Sequence, residues 1–370
     1  MKRLLSGNDA VARGAWEAGV MVASGYPGTP STEIMETFAQ FPGVYAEWAP
    51  NEKVALDTAI GAAYAGRRAM ATMKHVGVNV AADSLFYASM TGAEAGLVIV
   101  SADDPAMHSS QNEQDNRHYA RFARIPCLEP ADSQEAKDYT VAAIELSERF
   151  DTPVILRLTT RICHTSTPVI PGIQIKHPDL PDSYPRNPSK YVMIPGNARK
   201  RHPVVEKRIT EIAEYAESYP LNRIEKRSQS LGIITAGVAY QYAREVFPDA
   251  SILKMGMVYP LPKITILNFS KFVDQIIVLE ELDPFIEEQV RLMGVKLYTF
   301  PDKDKHNKYY AVEKSIFPLF GELDPGIVRI CAIEAGLLPE EEKTTITNAV
   351  NDIPLRPPVL CPGCPHRSTF

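Results

Sequence analysis

The sequence predicts an α/β protein built from two doubly wound, mostly parallel-sheet domains. Short apolar segments of strand length alternate with helix-length segments over residues 1–165 and again from residue 229. The segment 96–101 (Gly-Leu-Val-Ile-Val-Ser) is apolar along nearly its whole length, which is typical of a parallel strand that helices cover on both faces. A chain of 370 residues is long enough for two such domains with full cores.

Helix start signals divide the first domain into its elements. Ser6 with Asp9 forms a capping pair, Thr29 with Pro30 suits an N-cap and a first helical position, and Asp132 caps a later helix. The predicted strands are 20–24, 44–48, 69–73, 96–101, 126–129 and 153–158. The predicted helices are 9–18, 30–40, 51–66, 78–90 and 132–150. This alternation predicts a parallel sheet with helices on both faces.

A proline-rich segment separates the two predicted domains. Residues 166–228 are so rich in proline that we expect no long regular element there except one amphipathic helix at about 204–218. We interpret the segment as an ordered linker. The second domain, 229–336, precedes a charged and then proline-rich tail at 337–370. Its predicted strands are 231–236, 252–255 and 275–280, and its predicted helices are 238–246, 263–270 and 283–293.

Composition argues against several classes of protein. The net charge of −6 is unlike that of nucleic-acid binders, which usually have a basic excess. No apolar run approaches the roughly 18 residues of a membrane span, and the N-terminus lacks the apolar run of a signal peptide. The odd cysteine count favours a reducing cytoplasm over a disulfide framework. The five cysteines are Cys127, Cys163, Cys331, Cys361 and Cys364.

The helix predicted at 51–66 stands out because small and apolar residues occupy nearly every face of it. Such a helix is normally buried on several sides or packed against a partner. Glu52 lies in its first turn. The helix dipole favours an acidic residue there, and from the spacing alone this structural role is the better interpretation of Glu52. A catalytic carboxylate at the edge of a buried zone is the alternative.

Three further segments follow predicted strands and converge with Glu52 on the carboxyl edge of the sheet, where α/β proteins bind ligands. The turn at 25–32 offers hydroxyls and free N–H groups suited to a carboxylate or a carbonyl oxygen, but from this segment alone a simple capped turn is the better interpretation. His75 is either an acid or base near neutral pH or, more commonly, a solvated loop residue. The loop 103–118 is unusually long and polar, and such loops are often functional.

Other motifs are weak. No G-x-G-x-x-G follows a strand, and the glycines at 61 and 66 lack the Lys-Ser/Thr of a phosphate-binding loop, so no diphosphate site is visible. Cys361 and Cys364, with His366 nearby, provide fewer than the four ligands that a structural zinc or an iron–sulfur cluster needs.

Five blocks taken together resemble one family. They are 26–31 (Tyr-Pro-Gly-Thr-Pro-Ser), the Glu52 helix, 73–79 (Met-Lys-His-Val-Gly-Val-Asn), 109–115 (Ser-Ser-Gln-Asn-Glu-Gln-Asp) and 361–367 (Cys-Pro-Gly-Cys-Pro-His-Arg). In this order they resemble the alpha subunits of indolepyruvate:ferredoxin oxidoreductases, which are thiamine-diphosphate-dependent 2-oxoacid oxidoreductases. The resemblance covers essentially the whole chain.

The resemblance implies a pyrimidine-binding thiamine domain at 1–165 and a transketolase C-terminal-like domain at 229–336. It implies that Glu52 is catalytic and hydrogen-bonds the aminopyrimidine nitrogen of thiamine diphosphate, sharing a proton with it. The remaining site residues that the resemblance implies bind the cofactor or the substrate, and none binds a metal. Those for the cofactor are Gly28 and Asn79; those for the substrate are Thr29, His75, Ser110 and Asn112.

The family's alpha subunits continue into a diphosphate-binding domain and a ferredoxin-like domain, so the resemblance implies that this chain is an N-terminal portion. Mg²⁺ and iron–sulfur clusters are expected only in that further part. The implied reaction is oxidative decarboxylation of arylpyruvates to acyl-CoA. The implied partners are a beta-type subunit, ferredoxin and coenzyme A, in a homo- or hetero-oligomer. The alternatives are another 2-oxoacid oxidoreductase or decarboxylase, or a non-catalytic assembly module.

Overall fold

A computed structural model of the chain describes residues 2–175, 186–299 and 316–340. Its strands, in chain order, are β1 (Arg3–Ser6), β2 (Val22–Gly25), β3 (Tyr45–Trp48), β4 (Ala69–Lys74), β5 (Leu97–Asp103), β6 (Cys127–Leu128), β7 (Val154–Thr159), β8 (Ser166–Val169), β9 (Arg223–Glu225), β10 (Ser228–Ala236), β11 (Ala250–Met255), β12 (Met257–Tyr259) and β13 (Gln275–Leu279). Its α-helices are α1 (Gly7–Glu17), α2 (Thr32–Phe38), α3 (Glu52–Tyr64), α4 (His75–Thr91), α5 (Arg117–Ala123), α6 (Ser133–Phe150), α7 (Thr160–His164), α8 (Pro188–Tyr191), α9 (Pro195–Ala216), α10 (Ala239–Val246), α11 (Lys263–Phe272), α12 (Phe285–Leu292) and α13 (Pro325–Glu334).

Two mostly parallel sheets dominate the fold, as predicted. The larger has the order β12-β6-β7-β5-β4-β2-β3, and only β12 runs antiparallel to its neighbour. The smaller has the order β13-β10-β11-β9, in which β9 is antiparallel. Because β12 comes after β11 in the chain yet pairs with β6, the two sheets do not separate at a single point of the sequence. β1 and β8 form a small antiparallel pair.

Helices cover both faces of the larger sheet, which confirms the doubly wound class. α1, α2 and α6 pack on one face, where Ile34, Phe38 and Leu156 belong to one apolar cluster. α3 and α4 pack on the other, where Leu56 and Leu85 belong to a second cluster. Every residue of β4 and β5 is buried, because both faces of these central strands are covered. Among the described residues, no helix is long and apolar enough to cross a membrane.

α2 begins two residues later than its capping signal predicted. Pro30 is not the first helical residue, since α2 starts at Thr32. Residues 28–31 instead close a turn in which the Ser31 N–H donates to the Gly28 carbonyl oxygen at 2.9 Å. The Gly28 N–H donates to Thr32 Oγ1 at 3.0 Å. Thr29, the predicted cap, therefore lies in a turn before the helix, and the hydroxyls that bond within this turn belong to Ser31 and Thr32.

The prolines of the linker shortened its helix less than expected. α9 runs for 22 residues through Pro203, so the prediction that its helix begins at 204 was wrong. Tertiary contacts anchor this helix: buried Arg208 donates to the carbonyl oxygen of Asp151 at 2.6 Å and to that of Ser89. The predictions also missed several short elements. They are β1, α5, α7, β8, α8, β9, β12 and α13.

Candidate active site

The carboxyl ends of β2, β4 and β5 lie side by side at one edge of the larger sheet. Gly25, the last residue of β2, pairs with Thr72 of β4, and Lys74, the last residue of β4, pairs with Ala102 of β5. α3 begins beside them after the neighbouring strand β3. Ligands of open parallel sheets bind outside this edge. The candidate residues from separate segments of the sequence therefore share one region.

Glu52 is the first residue of α3 and is half-buried. The helix is capped independently of it, because Asn51 Oδ1 accepts the Val54 N–H at 3.0 Å. The Glu52 side chain lies against Gly77 of α4, where an added Cβ would stand 2.6 Å from Glu52 Cγ and 2.7 Å from Oε1. Within the described residues, the carboxylate of Glu52 has no hydrogen bond and no ion pair. It is therefore available to accept or share a proton.

Gly28 and Thr29 form the turn that faces this edge from β2. Thr29 is exposed, whereas Pro30 behind it is buried. A Cβ on Gly28 would stand 3.2 Å from Lys74 Cβ, so the turn packs closely against the end of β4. The Thr29 hydroxyl has no partner among the residues that the structure describes, which leaves it free for a ligand.

Lys74 lies at the same edge of the sheet, and the sequence indicated no role for it. It is 9% exposed, and its Nζ donates to the Ser109 carbonyl oxygen at 2.7 Å. Asp104 Oδ2 lies 4.0 Å from the same nitrogen. Burial lowers the pKa of Lys74, and the charge of Asp104 opposes that shift only in part. The sequence signal for this residue was its position at the carboxyl end of a buried strand.

His75 is not the solvated loop residue that its position suggested. It is the first residue of α4 and is fully buried. Its Nε2 lies 3.1 Å from the Asn112 carbonyl oxygen, so Nε2 must bear the hydrogen of this bond. In the neutral tautomer this leaves Nδ1 as an acceptor, which is buried without a partner in the described part of the chain. Its imidazole thus binds the 103–118 loop.

Ser110 and Asn112 lie in that loop and are fixed by it. Ser110 Oγ donates to Asp104, which also accepts the Ser109 N–H at 2.9 Å and Thr160 Oγ1 at 2.8 Å. Burial alone would raise the pKa of Asp104, but these hydrogen bonds lower it below its ordinary value. The hydroxyl of Ser110 is therefore committed to the protein. Asn112 uses its main chain to bind His75, and the residue is exposed.

Asn79 lies on the exposed side of α4, one turn beyond His75. Its Oδ1 accepts the hydroxyl of Tyr119 at 2.6 Å. Burial raises the pKa of that tyrosine. The contact joins α4 to α5, a helix whose first two residues lie in the segment predicted to be a loop, 103–118.

A buried seam of charges, made of Asp103, Asp115, Arg117, Arg157 and Glu280, ties the 103–118 loop to the smaller sheet. Arg157 Nε donates to Asp103 at 2.7 Å, and Arg117 binds Asp115 and donates to Glu280 at 2.6 Å. The neighbouring charges of the two arginines lower the pKa of Asp115 to about 2, although burial acts the other way. No sequence pattern indicated this seam, since its members look like ordinary surface charges.

Metal ligands are scarce in the described residues. Asp115, His118 and Asp283 place ligand atoms within 4.8 Å of one another, but Arg117 already occupies Asp115. The three described cysteines are buried and unpaired. Cys361, Cys364 and His366 lie outside the described residues.

Known proteins are similar to this chain in sequence. The family model for the thiamine-diphosphate-binding region of pyruvate flavodoxin/ferredoxin oxidoreductases matches residues 13–225. The indolepyruvate oxidoreductase subunit IorA of Archaeoglobus fulgidus is 42% identical over 100% of this chain and 60% of its own length. The corresponding Thermococcus kodakarensis subunit is 40% identical over 99% of the chain and 58% of its own length. The chain thus spans about three fifths of these relatives.

Solved structures share the fold. The 2-oxoglutarate:ferredoxin oxidoreductase of Magnetococcus marinus superimposes with a TM-score of 0.69 at 18% identity, covering 90% of this chain and 65% of that one. A split-gene transketolase superimposes with a TM-score of 0.51 at 12% identity, covering 78% of this chain and 83% of that one.

Proposed function

The chain belongs to the pyruvate flavodoxin/ferredoxin oxidoreductase family of thiamine-diphosphate-binding proteins, and from that membership we propose that it holds the aminopyrimidine half of thiamine diphosphate in an indolepyruvate:ferredoxin oxidoreductase. The similarity to indolepyruvate oxidoreductase subunits over the whole chain supports the substrate class. The 2-oxoglutarate synthase subunit KorA of Methanothermobacter thermautotrophicus, at 36% identity, matches only 41% of the chain. We therefore propose an arylpyruvate, and not 2-oxoglutarate, as the substrate.

The single observation on which the proposed chemistry depends is that the Glu52 carboxylate has no partner in the described part of the chain. A ring nitrogen of the cofactor's pyrimidine needs one partner that can share a proton, and the chemistry of a carboxylate fits that need. Asn51 caps α3 in its place, and the missing side chain at Gly77 leaves space for the Glu52 side chain. We assign Glu52 the role of holding a proton at that nitrogen. Gly28 and Asn79 would line the same half of the cofactor.

Thiamine diphosphate, when bound, supplies the carbanion stabilisation that allows a 2-oxoacid to lose CO₂. The chain's own contribution is to orient the reactants and to control protons. Thr29 is exposed in the turn at the same edge of the sheet, and its hydroxyl is our candidate for contact with the oxoacid. His75 and Ser110, whose ring nitrogen and hydroxyl bind the protein, are proposed to shape the substrate pocket. Asn112 would lie at its exposed rim.

The whole enzyme needs more than this chain. Diphosphate and Mg²⁺ binding and the iron–sulfur clusters are assigned to the part that the longer relatives possess and the chain does not span. Coenzyme A as the acyl acceptor, ferredoxin as the electron acceptor and a beta-type subunit complete the proposal. A cytoplasmic location agrees with such partners.

Glu52→Gln tests the proposal in the complete enzyme that contains this chain. We expect turnover of indolepyruvate to fall by at least ~100-fold, the usual size of a lost acid–base contribution, while assembly is retained. The matched control is Glu36→Gln, which changes an exposed glutamate of α2 and should leave turnover unchanged. Normal turnover of the Glu52 variant would reject the thiamine role and favour a pure assembly module.

A further inference from the structure

Lys74 connects the two segments that border the substrate end of the site. Its stem lies under Gly28, as the 3.2 Å approach to an added Cβ shows. Its ammonium donates to the carbonyl oxygen of Ser109 at 2.7 Å, across the site edge. The Ser109 hydroxyl in turn lies 3.4 Å from the carbonyl oxygen of Thr29. Turn, strand end and loop therefore meet at this one side chain.

Asp104 holds the same loop residue from the opposite side. It accepts the Ser109 N–H at 2.9 Å, while the Lys74 ammonium binds the carbonyl of the same residue. Asp104 and Lys74 are themselves 4.0 Å apart. Both polar groups of the Ser109 main chain are thus fixed by an opposite pair of charges, which gives the loop a defined height above the sheet edge.

Stability alone does not account for a lysine at this position. Burying an ammonium group is unfavourable, and the lowered pKa of Lys74 shows that its partners do not fully compensate. The residue also immediately precedes α4, a helix of 17 residues, and a cation at a helix N-terminus opposes the helix dipole. Local conflicts of this kind are expected at functional positions.

We propose that Lys74 is a positioning residue that fixes the loop at Ser109 against the Gly28–Thr29 turn and thereby sets the dimensions of the oxoacid pocket. The identity of the ligand as an oxoacid rests on the proposed function. The contacts of Lys74 with the turn and with Ser109, which we call the clamp, belong to this chain alone. Lys74 acts through the loop, while Glu52 serves the pyrimidine half. Loss of the lysine should therefore affect substrate more than cofactor.

The test compares Lys74→Met, which keeps the stem and removes the charge, with Lys74→Arg, which keeps a cation. In the complete enzyme we expect Lys74→Met to raise the KM for indolepyruvate about tenfold, with kcat within about threefold and thiamine diphosphate affinity unchanged. Amide hydrogen exchange in the full chain should accelerate at 109–113 without a lower Tm. Lys74→Arg should restore most of both properties.

Lys207→Met is the control, because Lys207 is exposed on α9 and pairs there with Glu211. It should alter neither KM nor exchange of the loop. The inference would be overturned if Lys74→Met changed neither the KM nor the exchange of the loop. It would also be overturned if the variant had a lower Tm and lost kcat, substrate affinity and thiamine diphosphate affinity to the same extent. Faster loop exchange in that variant, found together with full activity of Glu52→Gln, would retain the clamp and reject the proposed function.

Discussion

Glu52 and Glu280 are both glutamates that follow a strand at the edge of a sheet, yet their carboxylates have opposite surroundings. Glu280 is buried and accepts hydrogen bonds from Arg117 at 2.6 Å and from the Glu287 N–H at 2.9 Å. Glu52 is half-buried and, among the described residues, unpaired. The difference separates a carboxylate that holds the structure together from one left available for chemistry. Burial and charge pairing alone would have pointed to the wrong glutamate.

Arg157→Met should break the structural side of this comparison with the largest effect. The arginine is fully buried and binds Asp103 at 2.7 Å and Glu129 at 2.8 Å, so its loss leaves two buried carboxylates uncompensated. We expect the free energy of unfolding to fall by ~3–5 kcal/mol, measured by urea denaturation. Arg199→Met, at an exposed position of α9, is the control. A loss below about 0.5 kcal/mol, the size of a surface substitution, would show that the seam is not structural.

Gly77→Ala should break the catalytic side. The new Cβ would stand 2.6 Å from Glu52 Cγ, so the Glu52 side chain must move away from its position. We expect kcat of the complete enzyme to fall by ~10–100-fold, since small displacements of catalytic groups have effects of this size. The variant should remain folded by circular dichroism. Full turnover of the Gly77→Ala enzyme would mean that the position of Glu52 is not critical.

Glu281 extends the comparison to pH. It is buried, accepts the Leu323 N–H at 2.9 Å, and burial raises its pKa to about 7. Because the folded state then binds this proton more tightly than the unfolded chain does, stability should decrease as pH rises from about 4.5 to about 7. We expect Glu281→Gln to remove ~1–3 kcal/mol of that decrease in denaturation series. Parallel pH profiles of wild type and variant would contradict this.

Gly61→Ala should have the smallest effect and the opposite sign. Gly61 lies on α3, and unlike Gly77 it has no atom of another described residue within 4 Å of an added Cβ. Alanine should stabilise the isolated chain by ~0.5–1 kcal/mol through helix propensity. Destabilisation in a thermal melt would show that the exposed face of α3 is more constrained than the structure indicates.

The burial of α3 determines which of its positions can be substituted to test for contact with a partner. The sequence left two interpretations of its small residues, burial within the chain or contact with a partner, and Ala59 is fully buried in the core of the chain itself. A bulky residue there would damage the core, so it cannot probe an interface. Gly61, on the exposed side, is the better position for that purpose.

Apolar strands and their alternation with helices were predictable because burial on two faces leaves a continuous apolar signature in β4 and β5. Local signals failed where tertiary contacts decide. The capping signal at Thr29 lies in a turn, and α2 begins only at Thr32. The buried His75 bonds to the carbonyl oxygen of Asn112, 37 residues away, which no local pattern indicates. The resemblance implied Glu52 as a candidate. No local pattern indicated that its carboxylate has no partner among the described residues, or that Lys74 contacts the Ser109 main chain.

Exchange of the thiazolium C2 proton of bound thiamine diphosphate tests the role of Glu52 most directly, because Glu52 is proposed to control that proton through the pyrimidine. The exchange rate in deuterated water should be measured by rapid quench and NMR in the complete enzyme, for wild type and Glu52→Gln at equal cofactor occupancy. We predict a rate at least ~100-fold lower in the variant. Equal exchange rates in the two proteins would contradict the assignment of Glu52.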